Sequence, residues 1–118
     1  MIRKLVLAAS MAATLAAAPA FATPDGRDRH VNVVNSSSQV LRELYASPTT
    51  SRSWEEDMLG AGVLRPGQSI RANIDNGSNT CQYDLKVVMA NGREHVRRNV
   101  NVCTVSSWTI TNGGNNLR

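Results

Sequence analysis

The chain has 118 residues, 13 basic and 9 acidic side chains, and a formal net charge of +4. That length makes one domain, and a charge this mild excludes the basic face or stripe that nucleic-acid binding needs. Its two cysteines do not by themselves complete a zinc site, and neither a metal nor a cofactor is expected.

Met1-Ile2-Arg3-Lys4 is a short basic segment. Leu5 to Ala18 is an uncharged, alanine-rich run, and Ala20-Phe21-Ala22 is an A-x-A box just after Pro19. Together they predict a secretory signal peptide, residues 1–22, cleaved after Ala22. The apolar run is shorter than the roughly 20 residues that cross a bilayer, so a retained anchor is the weaker reading. Loss of Arg3 and Lys4 lowers the net charge from +4 to +2. The alanine-rich run points to a bacterial source. It therefore implies a periplasmic or secreted domain with no membrane span after cleavage.

Residues 23–29 are polar, with a Pro and a Gly, and read as a flexible leader. Val31, Val33 and Val34 mark a first strand, and Asn35-Ser36-Ser37-Ser38 is turn chemistry. Residues 39–47 fit helix or strand. Val40, Leu44 and Ala46 share one face of a strand, with Leu41 and Tyr45 on the other. A hairpin across the serine turn favours strand. Residues 48–53 form a loop. Ser53-Trp54-Glu55-Glu56 matches a capping box and predicts one short helical turn over 54–59, stopped by Gly60 and Gly62.

After the turn Arg65-Pro66-Gly67-Gln68, a strand points Ile70, Ala72 and Ile74 inward. Residues 80–89 are the best strand, with Cys81, Tyr83, Leu85, Val87 and Met89 on one face. Asn91-Gly92 predicts a type I′ hairpin. The returning strand carries Val96, Val100 and Val102 on one face and Arg97, Asn99 and Asn101 on the other. Arg98 breaks that parity, which predicts a bulge or an exposed end. A short strand with Trp108 and Ile110 follows, then a flexible tail over 112–118.

Cys81 and Cys103, an even count in an exported chain, predict one disulfide. Closing a loop of about 23 residues stabilises by roughly 3 kcal/mol. Six or so short strands with turn signals between them predict an all-β protein, a small antiparallel β-sandwich over residues 30–111. The expected core is Val31, Val33, Leu44, Leu64, Ile70, Ile74, Tyr83, Leu85, Val87, Val100 and Trp108.

Several short pieces carry a resemblance. They are Val34-Asn35 before the serine turn, Leu44-Tyr45-x-Ser47-Pro48, Trp54-Glu55-x-Asp57-x-Leu59 and Leu64-x-Pro66-Gly67. Cys81-x-Tyr83-Asp84-Leu85, Asn91-Gly92 and Val100-Asn101-Val102-Cys103 follow. In this order they resemble a family of small exported bacterial β-sandwich domains of unassigned function. The resemblance covers about residues 30–111. It implies fold and compartment and supplies no activity.

Trp54, Glu55 and Asp57 are the most site-like residues, an aromatic ring beside carboxylates that suits a cation, a basic partner or a sugar face. Packing of Trp54 and helix capping by the acids is the competing reading. His30 and His95 lack a marked nucleophile such as G-x-S-x-G, and His95 reads as a solvated strand residue. The expectation is a non-catalytic exported binding or interaction module. Its partner would be a protein or small molecule of the cell envelope. The alternatives are a secreted hydrolase inhibitor presenting the 48–53 loop and, last, a small periplasmic enzyme.

Overall fold

The computed structural model describes residues 25–118; the signal peptide expected at 1–22 lies outside them. Seven strands follow one another: β1 His30–Asn35, β2 Leu41–Pro48, β3 Ser69–Asn73, β4 Gln82–Met89, β5 Glu94–Asn101, β6 Ser107–Thr111 and β7 Gly114–Leu117. They make two sheets, a four-stranded one in the order β3-β1-β6-β7 and a three-stranded one in the order β2-β4-β5. The fold is a β-sandwich. All pairings are antiparallel except β1 with β6, which run parallel.

The core forms between the sheets because alternate residues of each strand are apolar. Val31 and Val33 of β1, Trp108 and Ile110 of β6, and Tyr83, Leu85, Val87 and Met89 of β4 are all buried. Of the core expected from the sequence only Ile70 is merely half-buried. Cys81 and Cys103 are bonded, with Cα atoms 5.4 Å apart, beside the paired ends of β4 and β5.

Two bulges change which side chains face inward. One lies between Leu41 and Glu43 of β2. It puts Leu41 and Leu44 on the same buried face, where strict alternation separates them. The other lies in β5, where Arg98 and Asn99 together oppose Asp84. This is the break that Arg98 signalled. Asn99 takes φ 55°, and Asp84 braces the bulge by accepting from the Asn99 amide at 2.8 Å and from Arg98 Nη1 at 3.1 Å. Before the bulge His95 and Arg97 face inward; after it Val100 does. Val96 is consequently exposed and His95 buried, the reverse of the expected assignment.

Five further expectations are corrected. No hairpin joins β1 to β2, because the serine turn carries the chain from one sheet to the other. Buried Asn35 organises that corner, donating to the carbonyls of Gln39 and Leu64 and accepting from Ser37. No helix forms at 54–59. Two tight turns take its place, with Gly60 bonded to Asp57 and Gly62 to Leu59. The 57–64 segment is instead committed to the outer edge of β2. Met58 N donates to Leu44 O, and Leu41 and Leu64 exchange two backbone bonds. An open sheet edge is thereby covered.

The Asn91-Gly92 hairpin forms, but only Gly92 has positive φ. Met89 N bonds to Arg93 O across a three-residue loop, a type I turn with a glycine bulge rather than type I′. Finally, the expected tail is β7, paired with β6. The expected leader is also anchored: Arg29 is fully buried, its guanidinium on the Asp25 carboxylate at 2.6 and 2.9 Å and on Thr80 O at 2.7 Å. No helix among the described residues is long and apolar enough to cross a membrane.

Candidate functional site

Successive residues of a strand point to opposite faces, so burying Leu44 and Ala46 sends Glu43 and Tyr45 outward. Burying Leu85 and Val87 does the same for Lys86. The register then sets Tyr45 directly beside Lys86. Trp54, half-buried, comes in from the loop after β2 and completes a cluster on this outer face. The Tyr45 and Trp54 rings lie 6.4 Å apart, tilted by 48°, within the range of favourable aromatic pairs. Lys86 Nζ sits 5.0 Å from both ring centroids, and the Arg98 guanidinium 5.6 Å from that of Trp54. Both cations are close enough for attraction by the ring faces.

Charge around the cluster is tied down. The Tyr45 hydroxyl donates to Glu43 Oε1 at 2.6 Å. That bond holds the Glu43 carboxyl below its usual range and pushes the Tyr45 phenol up to about 12. Deprotonating Tyr45 would cost the bond and set two anions together. Glu43→Gln should therefore bring the Tyr45 titration back toward 10, read from tyrosinate absorbance with Tyr45→Phe as the assignment control. An unchanged titration would mean that the bond is not made in solution.

Beside Trp54 lies a cleft of about 110 Å³, walled by Ser47, Ser51, Ser53, Asp84 and Arg98. The 48–53 loop forms its rim. It bonds back on itself through Ser51 N to Pro48 O and Ser51 Oγ to Ser53 O, and to β4 through Thr49 N to Gln82 O.

The structure parts the residues that the sequence grouped. Asp57 Oδ1 accepts from the amides of Leu44 and Leu59, at 2.9 and 3.0 Å. It is the pin that fixes the loop to β2. Exposed Glu55 accepts from Asn76 Nδ2 at 3.3 Å and shares a shallow hollow with Glu56 and Asp75. Among the described residues no hydrogen bond, ion pair or ring contact joins either acid to Trp54. The charged groups that meet the Trp54 ring are Lys86 and Arg98, and the nearby carboxylate is Asp84, paired with Arg98. Tyr45, Lys86 and Arg98 were missed because they come from three separate strands. The outward parity of Tyr45 and Lys86 was the available signal, whereas Arg98 falls on the apolar face by strict alternation and is turned outward by the bulge.

The histidines lie apart. His30 Nδ1 meets Asp28 at 2.7 Å on the surface. His95, expected in solvent, is 5 % exposed; its pKa is lowered, first by burial and then by Arg93. An open hollow of about 430 Å³, lined by Met58, Leu59, Val63, Gln68, Ser69 and Ile70 among others, runs beside the edge strand β3. Compared with protein families, curated proteins and solved structures, the chain finds no match.

Proposed function

We propose that this protein is a non-catalytic binding module, exported to the periplasm or beyond, which engages a partner of the cell envelope through Trp54. The observation that carries this reading is the Trp54–Tyr45 pair, half-buried on an outward sheet face and flanked by Lys86 and Arg98. Interface hot spots favour Trp, Tyr and Arg. A ring held by its neighbours loses little freedom on binding, which keeps the cost of association low. Two cations and the absence of any tie from Glu55 or Asp57 favour an acidic partner over the basic one that the sequence suggested.

Export rests on the residues of the 1–22 segment and is supported by the disulfide, a bond of oxidising compartments. The resemblance to small exported bacterial sandwiches rests on the motifs quoted above and agrees with the fold.

The test is capture of partners from periplasmic extract by the purified protein, by Trp54→Ala and by Lys86→Glu/Arg98→Glu. Both variants should keep the fold by circular dichroism and lose the same captured species. Capture by the parent protein should weaken as salt rises, because exposed charges are screened. Identical capture by all three proteins would end the site hypothesis and leave a structural cluster.

A further inference from the structure

Three turns meet at one end of the sandwich: the serine turn after β1, the Asn91-Gly92 loop and the Asn112-Gly113 loop. They enclose a cleft of about 200 Å³, with Ser38, Met89, Asn91, Arg93, His95 and Asn112 in its lining. The cleft is separate from the Trp54 face, since His95 points inward from β5 and the cluster sits on the outward side.

The protonation of His95 follows from its neighbour. Asn115 Oδ1 accepts from Trp108 Nε1 at 2.9 Å and from Arg97 Nη1 at 3.1 Å. Both partners are obligate donors, so this atom is the amide oxygen. The other amide atom, 3.2 Å from His95 Nδ1, is therefore the nitrogen, and it donates. Nδ1 carries a lone pair, and the proton of the neutral ring is on Nε2. His95 is in the cleft lining and Asn115 is not. Nε2–H has no hydrogen-bond partner among the described residues, although His95 is only 5 % exposed. A buried donor left unpaired calls for a partner.

The rest of the lining has the same bias. Several of its acceptors are already engaged, although the side-chain amide of Gln39, also in the lining, is not among them. Asn112 Oδ1 takes the Ser38 amide at 2.8 Å and the Ser38 hydroxyl at 3.1 Å. Asn91 Oδ1 takes the Arg93 amide at 2.9 Å. Ser37 Oγ donates to Asn35 Oδ1 at 2.6 Å. Arg93 is pinned over the mouth by its bond from Nη1 to Asn112 O at 3.0 Å, with further N–H groups left to donate. Amide nitrogens of Asn91 and Asn112 add to the surplus. No carboxylate lines the cleft, and Met89 supplies an apolar wall.

We infer that this cleft binds a small oxyanion, a carboxylate or phosphate group, held by His95 Nε2–H and Arg93. Surplus donors, one fixed cation and no carboxylate in the lining suit an acceptor-only ligand. Bound there, the anion would also favour the charged imidazole, so its binding should raise the His95 pKa.

The experiment is imidazole nitrogen NMR on the purified protein, titrated with sodium acetate or sodium phosphate against sodium chloride at matched ionic strength. The chain has two histidines, and His30→Gln assigns them. Without ligand, His95 should show the Nε2–H tautomer. With acetate or phosphate its signals should shift saturably, with a Kd on the order of 1 mM, while those of His30 follow chloride. Saturation by acetate alone assigns a carboxylate site; saturation by phosphate alone assigns a phosphate site. Arg93→Gln should weaken binding roughly tenfold, the loss of one charge-assisted bond. Asn112→Asp keeps the Ser38 acceptor, adds a negative charge and should abolish binding with the fold intact. An Nδ1–H tautomer, shifts equal to those in chloride, or binding indifferent to both variants would overturn the inference.

Discussion

Asp25→Ala is expected to destabilise the domain by about 3 kcal/mol, the low end for breaking a buried ion pair, since Asp25 keeps 29 % of its side chain in water. Its partner pays most of that cost. Arg29 is fully buried, and without the carboxylate its guanidinium keeps only the Thr80 carbonyl and weaker contacts. Removing the charge together with its need for a partner should hurt less. Arg29→Met, similar in length and apolar, is therefore expected to be milder than Asp25→Ala. Urea midpoints of the two oxidised variants decide the point. A harmless Asp25→Ala would show that residues 25–29 do not dock as described.

The second large effect is expected at Trp108. It is the largest fully buried side chain, set between Val33 and Leu117 in the four-stranded sheet. Trp108→Ala should cost about 3–5 kcal/mol, from lost burial and the cavity left behind. Trp108→Phe keeps much of the volume and loses the bond to Asn115. It should cost clearly less, and it should disturb His95, since Asn115 then loses one of the two donors that orient it. A loss below about 1 kcal/mol for Trp108→Ala would place the ring outside the core. Unfolding followed by circular dichroism leaves Trp54 fluorescence free to report on the other site.

The strands were legible because their apolar residues alternate, and β4 was read with the correct face throughout. Parity failed wherever an extra residue entered. The break at Arg98 was visible, but its consequence runs backward along β5, exchanging Val96 for His95 at the core face. The Leu41–Glu43 bulge explains why residues 39–47 fitted helix as well as strand, and why Leu41 rather than Val40 shares the buried face with Leu44. Gly114-Gly113 and two asparagines give β7 no hydropathic signature. That strand pairs with β6, and its Asn115 accepts from Trp108 and Arg97. Asp25–Arg29 looked like a leader because a charge pair has no periodicity.

The site followed the same rule. Trp54 stood out by residue type, whereas its companions depend on the register between β2 and β4. Glu55 and Asp57 were adjacent in sequence and divergent in space, Asp57 having turned inward to hold the backbone.

The parallel pairing of β1 with β6 has a bearing on how the chain acquires its structure. β1 lies in the middle of its sheet, between β3 and β6, and the second of those neighbours comes from the far end of the sequence. Contacts so remote close slowly, because the intervening chain must be ordered first. The β4–β5 hairpin and its Cys81–Cys103 bond need only a short stretch of chain. Folding should therefore begin there and finish when residues 107–117 add the last half of the other sheet. A chain cut before Ser107 would leave one edge of β1 bare and Val33 without Trp108. Such a protein stays open until synthesis is almost done, with half of one sheet waiting on its last dozen residues.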